Sequence, residues 1–163
     1  MTYDVAFEEA PAQTFTSVRR TLKEPDLRPF VEQSIAEMRA LLRDAGIPEA
    51  GPPFAIYHDK VTVEAPGDVE VCVPCSLERS DSGVIEHRTI VATRAAVVAV
   101  PTADVRYPEI LAAYDAATAA ILDAGFLLGA APREVYDGPT TRIVWPLGAR
   151  AEAAHATSET HAR

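Results

Sequence analysis

The chain has 163 residues, 48% of them apolar and 24% charged, with a formal net charge of −9 and a pI near 4.9. That length and balance suit one domain with a proper core and exclude wholesale disorder. The acidic balance also argues against direct nucleic-acid binding, which draws on a basic stripe that neutralises phosphate, and Arg19-Arg20 is the one adjacent basic pair.

Residues 3–7 alternate polar and apolar side chains and read as a strand or its lead-in; Pro11 interrupts, and residues 13–22 resume as a strand rich in β-branched residues. Pro25 and Asp26 then open a helix, with Asp26 as N-cap. Its apolar face is Leu27, Phe30, Val31, Ile35, Met38, Leu41, Leu42 and Ala45, in steps of three and four. Gly46 stands where a left-handed C-cap belongs, and Pro48 prevents continuation. Residues 54–58 and 68–77 read as two strands, and Ser80-Asp81-Ser82-Gly83 as the turn that ends the first unit. The apolar run 84–100 is too long for one strand and divides at Thr93-Arg94 into 85–92 and 95–100. Pro108, with Glu109 behind it, opens a second helix, whose face is Ile110, Leu111, Tyr114, Ala117, Thr118, Ile121 and Leu122. Gly125 closes it. Residues 132–147 read as two strands around Asp137-Gly138-Pro139, and residues 149–163 as a polar tail that frays.

The second half echoes the first. Asp44-Ala45-Gly46 is followed by Tyr57, thirteen residues after its Asp, and Asp123-Ala124-Gly125 is followed by Tyr136 at the same spacing. Each tyrosine leads into a strand ending in proline, Val71-Cys72-Val73-Pro74 and Ile143-Val144-Trp145-Pro146. The expected fold is α+β: two strand-helix-strand-strand units form a curved antiparallel sheet with both helices on one face. A ligand groove is expected between the helices, near the internal pseudo-twofold axis. Residues 1–148 form the domain, with repeats at about 3–79 and 83–148. No apolar run reaches the ~18 residues of a membrane span, and Met1-Thr2-Tyr3-Asp4 has no secretory pattern, so a cytoplasmic protein without membrane contact is expected. Two cysteines without an export signal fit reduced thiols.

In this arrangement the chain resembles the GyrI-like small-molecule-binding domain, which also serves as the effector-binding domain of AraC-type and MerR-type multidrug regulators. The matching pieces are Gly51-Pro52-Pro53-Phe54-Ala55-Ile56-Tyr57-His58, Asp68 to Pro74, Tyr107 before Leu111-Ala112-Ala113-Tyr114, Ala131-Pro132-Arg133-Glu134-Val135-Tyr136, and Thr141-Arg142-Ile143 before Pro146. They extend over about residues 3–148. The resemblance implies a drug-binding groove for bulky, often cationic aromatic compounds, and some stand-alone relatives look like hydrolases that open cyclopropane rings of DNA-alkylating natural products. Two departures stand out. The position of the family's pocket acid, in the last strand, is occupied by Arg142, and a guanidinium disfavours cations. The His-x-Gly-Pro-Tyr pattern before the second helix is reduced to Ala103-Asp104-Val105-Arg106-Tyr107.

The expected ligand-binding residues are Tyr57, Glu70, Cys72, Tyr107, Tyr136, Arg142 and Trp145. Aligning the repeats sets Glu70 opposite Arg142 across the pseudo-axis. Either they pair near the groove and set its polarity, or they are solvated strand charges that never meet. Tyr57, Tyr136 and Trp145 are groove lining or ordinary aromatic core. Cys72-Val73-Pro74-Cys75 is a weak metal or redox motif, because cysteines three apart on a strand point to opposite faces and no helix follows. Cys72 therefore reads as a small apolar pocket or core residue, and no metal and no cofactor are expected. No nucleophile elbow, P-loop, dinucleotide fingerprint or HExxH is present. If the groove is catalytic, Glu134 and Tyr136 come first as acid–base groups, followed by Glu70.

The leading functional expectation is a sensor, sequestration or resistance protein that binds a small, bulky, aromatic molecule. One alternative is a hydrolase that detoxifies a reactive, cyclopropane-type natural product in the same groove. The other is an accessory subunit of a separate DNA-binding regulator, its partner protein.

Overall fold

The computed structural model describes residues 2–77 and 85–151. Strands β1 (Val5–Ala10) and β2 (Gln13–Leu22) lead into helix α1 (Glu24–Asp44), followed by β3 (Phe54–Tyr57) and β4 (Gly67–Pro74). The second half runs β5 (Arg88–Ile90), β6 (Thr93–Pro101), α2 (Leu111–Asp123), β7 (Phe126–Leu128), β8 (Arg133–Asp137) and β9 (Thr140–Arg150). The turn expected at 80–83 lies outside the described residues, as do residues 152–163 of the expected tail.

The strands form one curled antiparallel sheet in the order β1-β6-β9-β8-β3-β4-β2-β5, with β7 pairing on β9. Read from its centre, this order is the same in both directions. β3 and β8 meet in the middle, β4 and β9 flank them, β2 and β6 come next, and β5 and β1 form the edges. The two edge strands are exchanged between the halves. β1 precedes β2 in the chain but pairs with β6, and β5 precedes β6 but pairs with β2.

Strand parity divides the side chains between two faces. On the helix face, Val69, Val71, Val73 and Ala55 pack with Phe30, Val31, Met38 and Leu42 of α1. Val98, Val100 and Ile143 pack with Ala113 and Ala117 of α2. The two alanines are fully buried, and their small side chains let α2 lie close to β6. Both helices therefore cover one face, as the sequence predicts. The opposite face carries Phe15, Phe54, Ile56 and Cys72 in one cluster and Ala10, Ala95, Val97 and Val144 in another.

The helix ends differ in part from expectation. α1 begins at Glu24 with Lys23 at the N-cap, so Asp26 lies inside the first turn, where it still complements the helix dipole. At the other end Gly46 adopts φ +69°, and Gly46 and Ile47 donate to the carbonyls of Arg43 and Leu42 in a Schellman closure. α2 begins at Leu111 rather than Pro108, because a tight turn with Leu111 N–H bonded to the Pro108 carbonyl precedes it. β7 was not foreseen, and β9 continues to Arg150, two residues into the expected tail, because β7 gives its far end a pairing partner.

Candidate functional site

α1 and α2 stand apart over the centre of the sheet, and a cavity of about 800 Å³ lies between them. Leu27, Val31 and Ile35 of α1 form one wall; Tyr107, Ile110, Leu111 and Tyr114, at and before the start of α2, form the other. The floor comes from Tyr57 on β3, Glu134 and Tyr136 on β8, and Thr141 and Trp145 on β9.

The floor is built where the repeats meet. β3 and β8 pair with Ala55 opposite Glu134. At the two ends of this pairing, Tyr57 N–H donates to the Pro132 carbonyl at 3.0 Å and Tyr136 N–H to the Pro53 carbonyl at 2.9 Å. The two hydrogen bonds are counterparts under the pseudo-twofold, and they bring one tyrosine from each repeat to the same spot.

Glu134 sits at that spot and is only 5% exposed. Its Oε1 accepts from the Tyr114 hydroxyl at 2.8 Å; its Oε2 accepts from Tyr57 at 3.0 Å and Tyr136 at 3.1 Å. The Tyr57 and Tyr136 hydroxyls are 3.4 Å apart. Among the described residues no Lys, Arg or His forms an ion pair with Glu134. Burial pushes its carboxyl above the usual range; the three tyrosine hydrogen bonds oppose that rise without cancelling it. Burial, reinforced by the charge of Glu134, holds the Tyr57 and Tyr114 hydroxyls well above their ordinary value. Tyr136 is raised in the same direction, by burial first, then Tyr57 and Glu134. They are therefore neutral donors at physiological pH. Tyr114 also stacks edge-to-face on Tyr57 and on Trp145, with centroids 6.4 and 6.1 Å apart. The resulting floor is aromatic and centres on one buried carboxyl group that no Lys, Arg or His of the described residues pairs with, although Arg28, Lys60 and Arg106 line the cavity elsewhere.

Of the residues singled out in the sequence, Tyr57, Tyr107, Glu134, Tyr136 and Trp145 line this cavity. Glu70, Cys72 and Arg142 do not. All three have the parity of the opposite face, where Cys72 packs with Phe15, Phe54 and Ile56. Glu70 and Arg142 do not meet. Glu70 accepts from Ser17 at 2.7 Å, from Arg88 Nε at 2.9 Å and again from the Arg88 terminal nitrogen, with His58 Nε2 at 2.9 Å. Arg142 pairs with Glu8 instead. It therefore neither lines the cavity nor replaces an acid there; the acid of the floor comes from the neighbouring strand, as Glu134. Cys72 is buried, and desolvation pushes its thiol far above the ordinary range. Sequence reasoning missed Tyr114 as a polar contributor. It is the one aromatic residue on that helix face and, beside the short Thr118, the one with a hydroxyl, and that was the available signal.

No family model and no curated protein sequence matches the chain. Solved structures do. The EcmrR C-terminal domain is 27% identical with a TM-score of 0.69, covering 91% of this chain and 99% of that one. EcmrR in its DNA complex is 24% identical with a TM-score of 0.73 over 90% of this chain; the match spans only 58% of the EcmrR chain. SAV2435 bound to tetraphenylphosphonium is 14% identical with a TM-score of 0.55, covering 90% of this chain and 94% of that one. These likenesses support the GyrI-like fold expected from the sequence.

Proposed function

We propose that the groove between α1 and α2 binds a small, bulky aromatic molecule and prefers one that carries a positive charge. The observation that carries this reading is Glu134: a buried carboxylate with three neutral hydroxyl donors and no cationic partner among the described residues. Burying an unpaired charge is costly, and a cation entering the groove offsets that cost while the tyrosine and tryptophan faces attract it as well. The groove volume is in the range of sites for drug-sized ligands. The tetraphenylphosphonium held by SAV2435 is a ligand of this kind, and the likeness to EcmrR supports a role as a ligand-sensing unit that reports to a DNA-binding partner. Sequestration in resistance is served by the same chemistry.

Trp145, the single tryptophan, lies in the groove and reports occupancy by its fluorescence. Titration with tetraphenylphosphonium and with tetraphenylborate, an anion of the same shape, tests the reading. Saturable quenching by the cation and weak or absent quenching by the anion is expected. Equal binding of both ions, or no binding of either, would falsify it.

A second reading is hydrolysis of a strained natural product, because a protonatable carboxyl beside three hydroxyls is a sufficient acid–base set. A hydrolysed product in a mass spectrum after incubation with a cyclopropane-bearing alkylator, lost in Glu134→Gln, distinguishes it from stoichiometric binding.

A further inference from the structure

We propose that the sheet face turned away from the helices carries a second site, which takes a small carboxylate on Arg133. This face plays no part in the groove. Arg133 precedes Glu134 on β8, so its side chain emerges on the other side of the sheet. It is only 7% exposed, yet it makes no hydrogen bond and no ion pair among the described residues. Its Nε is the sole buried side-chain nitrogen or oxygen lacking a partner among them.

The arginines around it are treated differently. Arg88 is matched to Glu70, Arg142 to Glu8 and Arg19 to Asp68. Among the described acids of this face, Glu70, Glu8 and Asp68 are each paired, and the exposed Asp137, four residues along β8, makes no ion pair with Arg133. Glu70 already accepts from Ser17 and Arg88 and contacts His58, and Glu8 is held by Arg142. Arg133 and Arg142 lie diagonally on adjacent strands, since Arg133 pairs with Val144 and Val135 with Arg142. Two guanidinium groups thus lie near each other, and the carboxylate that pairs with Arg142, Glu8, is on β1, on the far side of β9 from Arg133. Burial lowers the Arg133 pKa from its ordinary value, and the charge of Arg142 acts in the same direction. The Arg133 guanidinium lies over the Phe54 ring, 5.7 Å from its centroid, within reach of a cation–π contact.

A buried guanidinium with unmatched donors is stabilised by an incoming anion, and its planar fork matches the two oxygens of a carboxylate. The shallow exposure of Arg133 favours a small planar anion over the surface of another macromolecule.

The test compares thermal unfolding in sodium acetate and in sodium chloride at equal ionic strength and pH, with sodium phosphate as a third arm. Acetate at many times its dissociation constant is expected to raise the midpoint of the wild type by several degrees over chloride. Arg133→Met is expected to lose that rise while still binding tetraphenylphosphonium in the groove. Should Arg133→Met not fold, Arg133→Lys serves: it keeps the charge but lacks the Nε donor and the fork, so the acetate response falls sharply. Equal midpoints in acetate and chloride, an acetate response that survives both substitutions, or a response to phosphate alone overturns the proposal.

Discussion

Ala55 and Glu134 face each other across the β3–β8 pairing, and they are the same position of the two repeats. One copy carries a methyl group and the other a carboxylate. Ala55 is fully buried and Glu134 nearly so, so the pseudo-twofold passes close to a site where symmetry in side chains is broken. A carboxylate in both copies would set two buried acids side by side, and they could not both ionise.

Ala55→Glu tests that relationship. At neutral pH the variant is expected to lose about 3 kcal/mol or more of stability, the cost of an uncompensated buried charge. The deficit should shrink as the pH falls and one of the two carboxyls is protonated. Urea unfolding of wild type and variant at pH 5 and pH 8 reads both effects, and a deficit independent of pH would mean that overpacking rather than charge is responsible.

Ligand affinity should depend on pH through Glu134. Its folded pKa lies above the unfolded value of ~4.3. In the ligand-free protein the group's contribution to stability is full below the unfolded value and is lost as pH rises through the folded one. Cation affinity runs the opposite way and grows as the carboxyl ionises. Tetraphenylphosphonium titrations across pH are expected to show weakening on the acid side. Glu134→Gln should flatten that dependence and cost roughly 30-fold in affinity, about 2 kcal/mol, with no loss of thermal stability in the ligand-free protein.

Glu70 has the opposite sign. Burial raises its pKa, but the hydrogen bonds from Arg88, Ser17 and His58 outweigh burial and the net shift is downward. Its contribution is present above the unfolded value of ~4.3 and is lost as pH falls through the folded one. Glu70→Gln is expected to cost about 1–3 kcal/mol at pH 7 and progressively less in acid, with tetraphenylphosphonium affinity unchanged. Chemical denaturation at pH 7 and pH 3.5 measures the difference.

Arg142→Glu separates the two readings of that residue. An arginine in the groove would make the variant switch its preference from anions to cations. Arg142 instead lies on the opposite face, partly exposed and paired with Glu8. The variant is therefore expected to keep the wild-type order of tetraphenylphosphonium over tetraphenylborate and to change stability by no more than about 1 kcal/mol. A reversal of ligand preference in Trp145 fluorescence would place the guanidinium within reach of the ligand.

Local sequence patterns were enough for most of the elements and for their duplication, the short β7 excepted. Helical periodicity fixed the apolar stripes of α1 and α2 except for Leu41 and Leu122, which are exposed; Gly46 and Gly125 stand at positive φ just past the helix ends, and the matched spacing to Tyr57 and Tyr136 set the two copies in register. These are local properties, written in steps of two, three or four residues. Parity along a strand was legible too: Arg142 and Trp145, three apart, were bound to face opposite ways. Which face the helices cover was not, because that depends on how the repeats meet. The tertiary structure alone decided it. Pairing β3 with β8 joined residues about 80 apart in the chain and gathered Tyr57, Tyr114 and Tyr136 around Glu134. The same pairing sent Glu70, Cys72 and Arg142 to the far side. The exchange of the edge strands β1 and β5 was also beyond local reading, since no pattern within β1 distinguishes pairing with β2 from pairing with β6. A charge is assigned to a site by the strands beside it, and strand neighbours are fixed by the closure of the whole sheet.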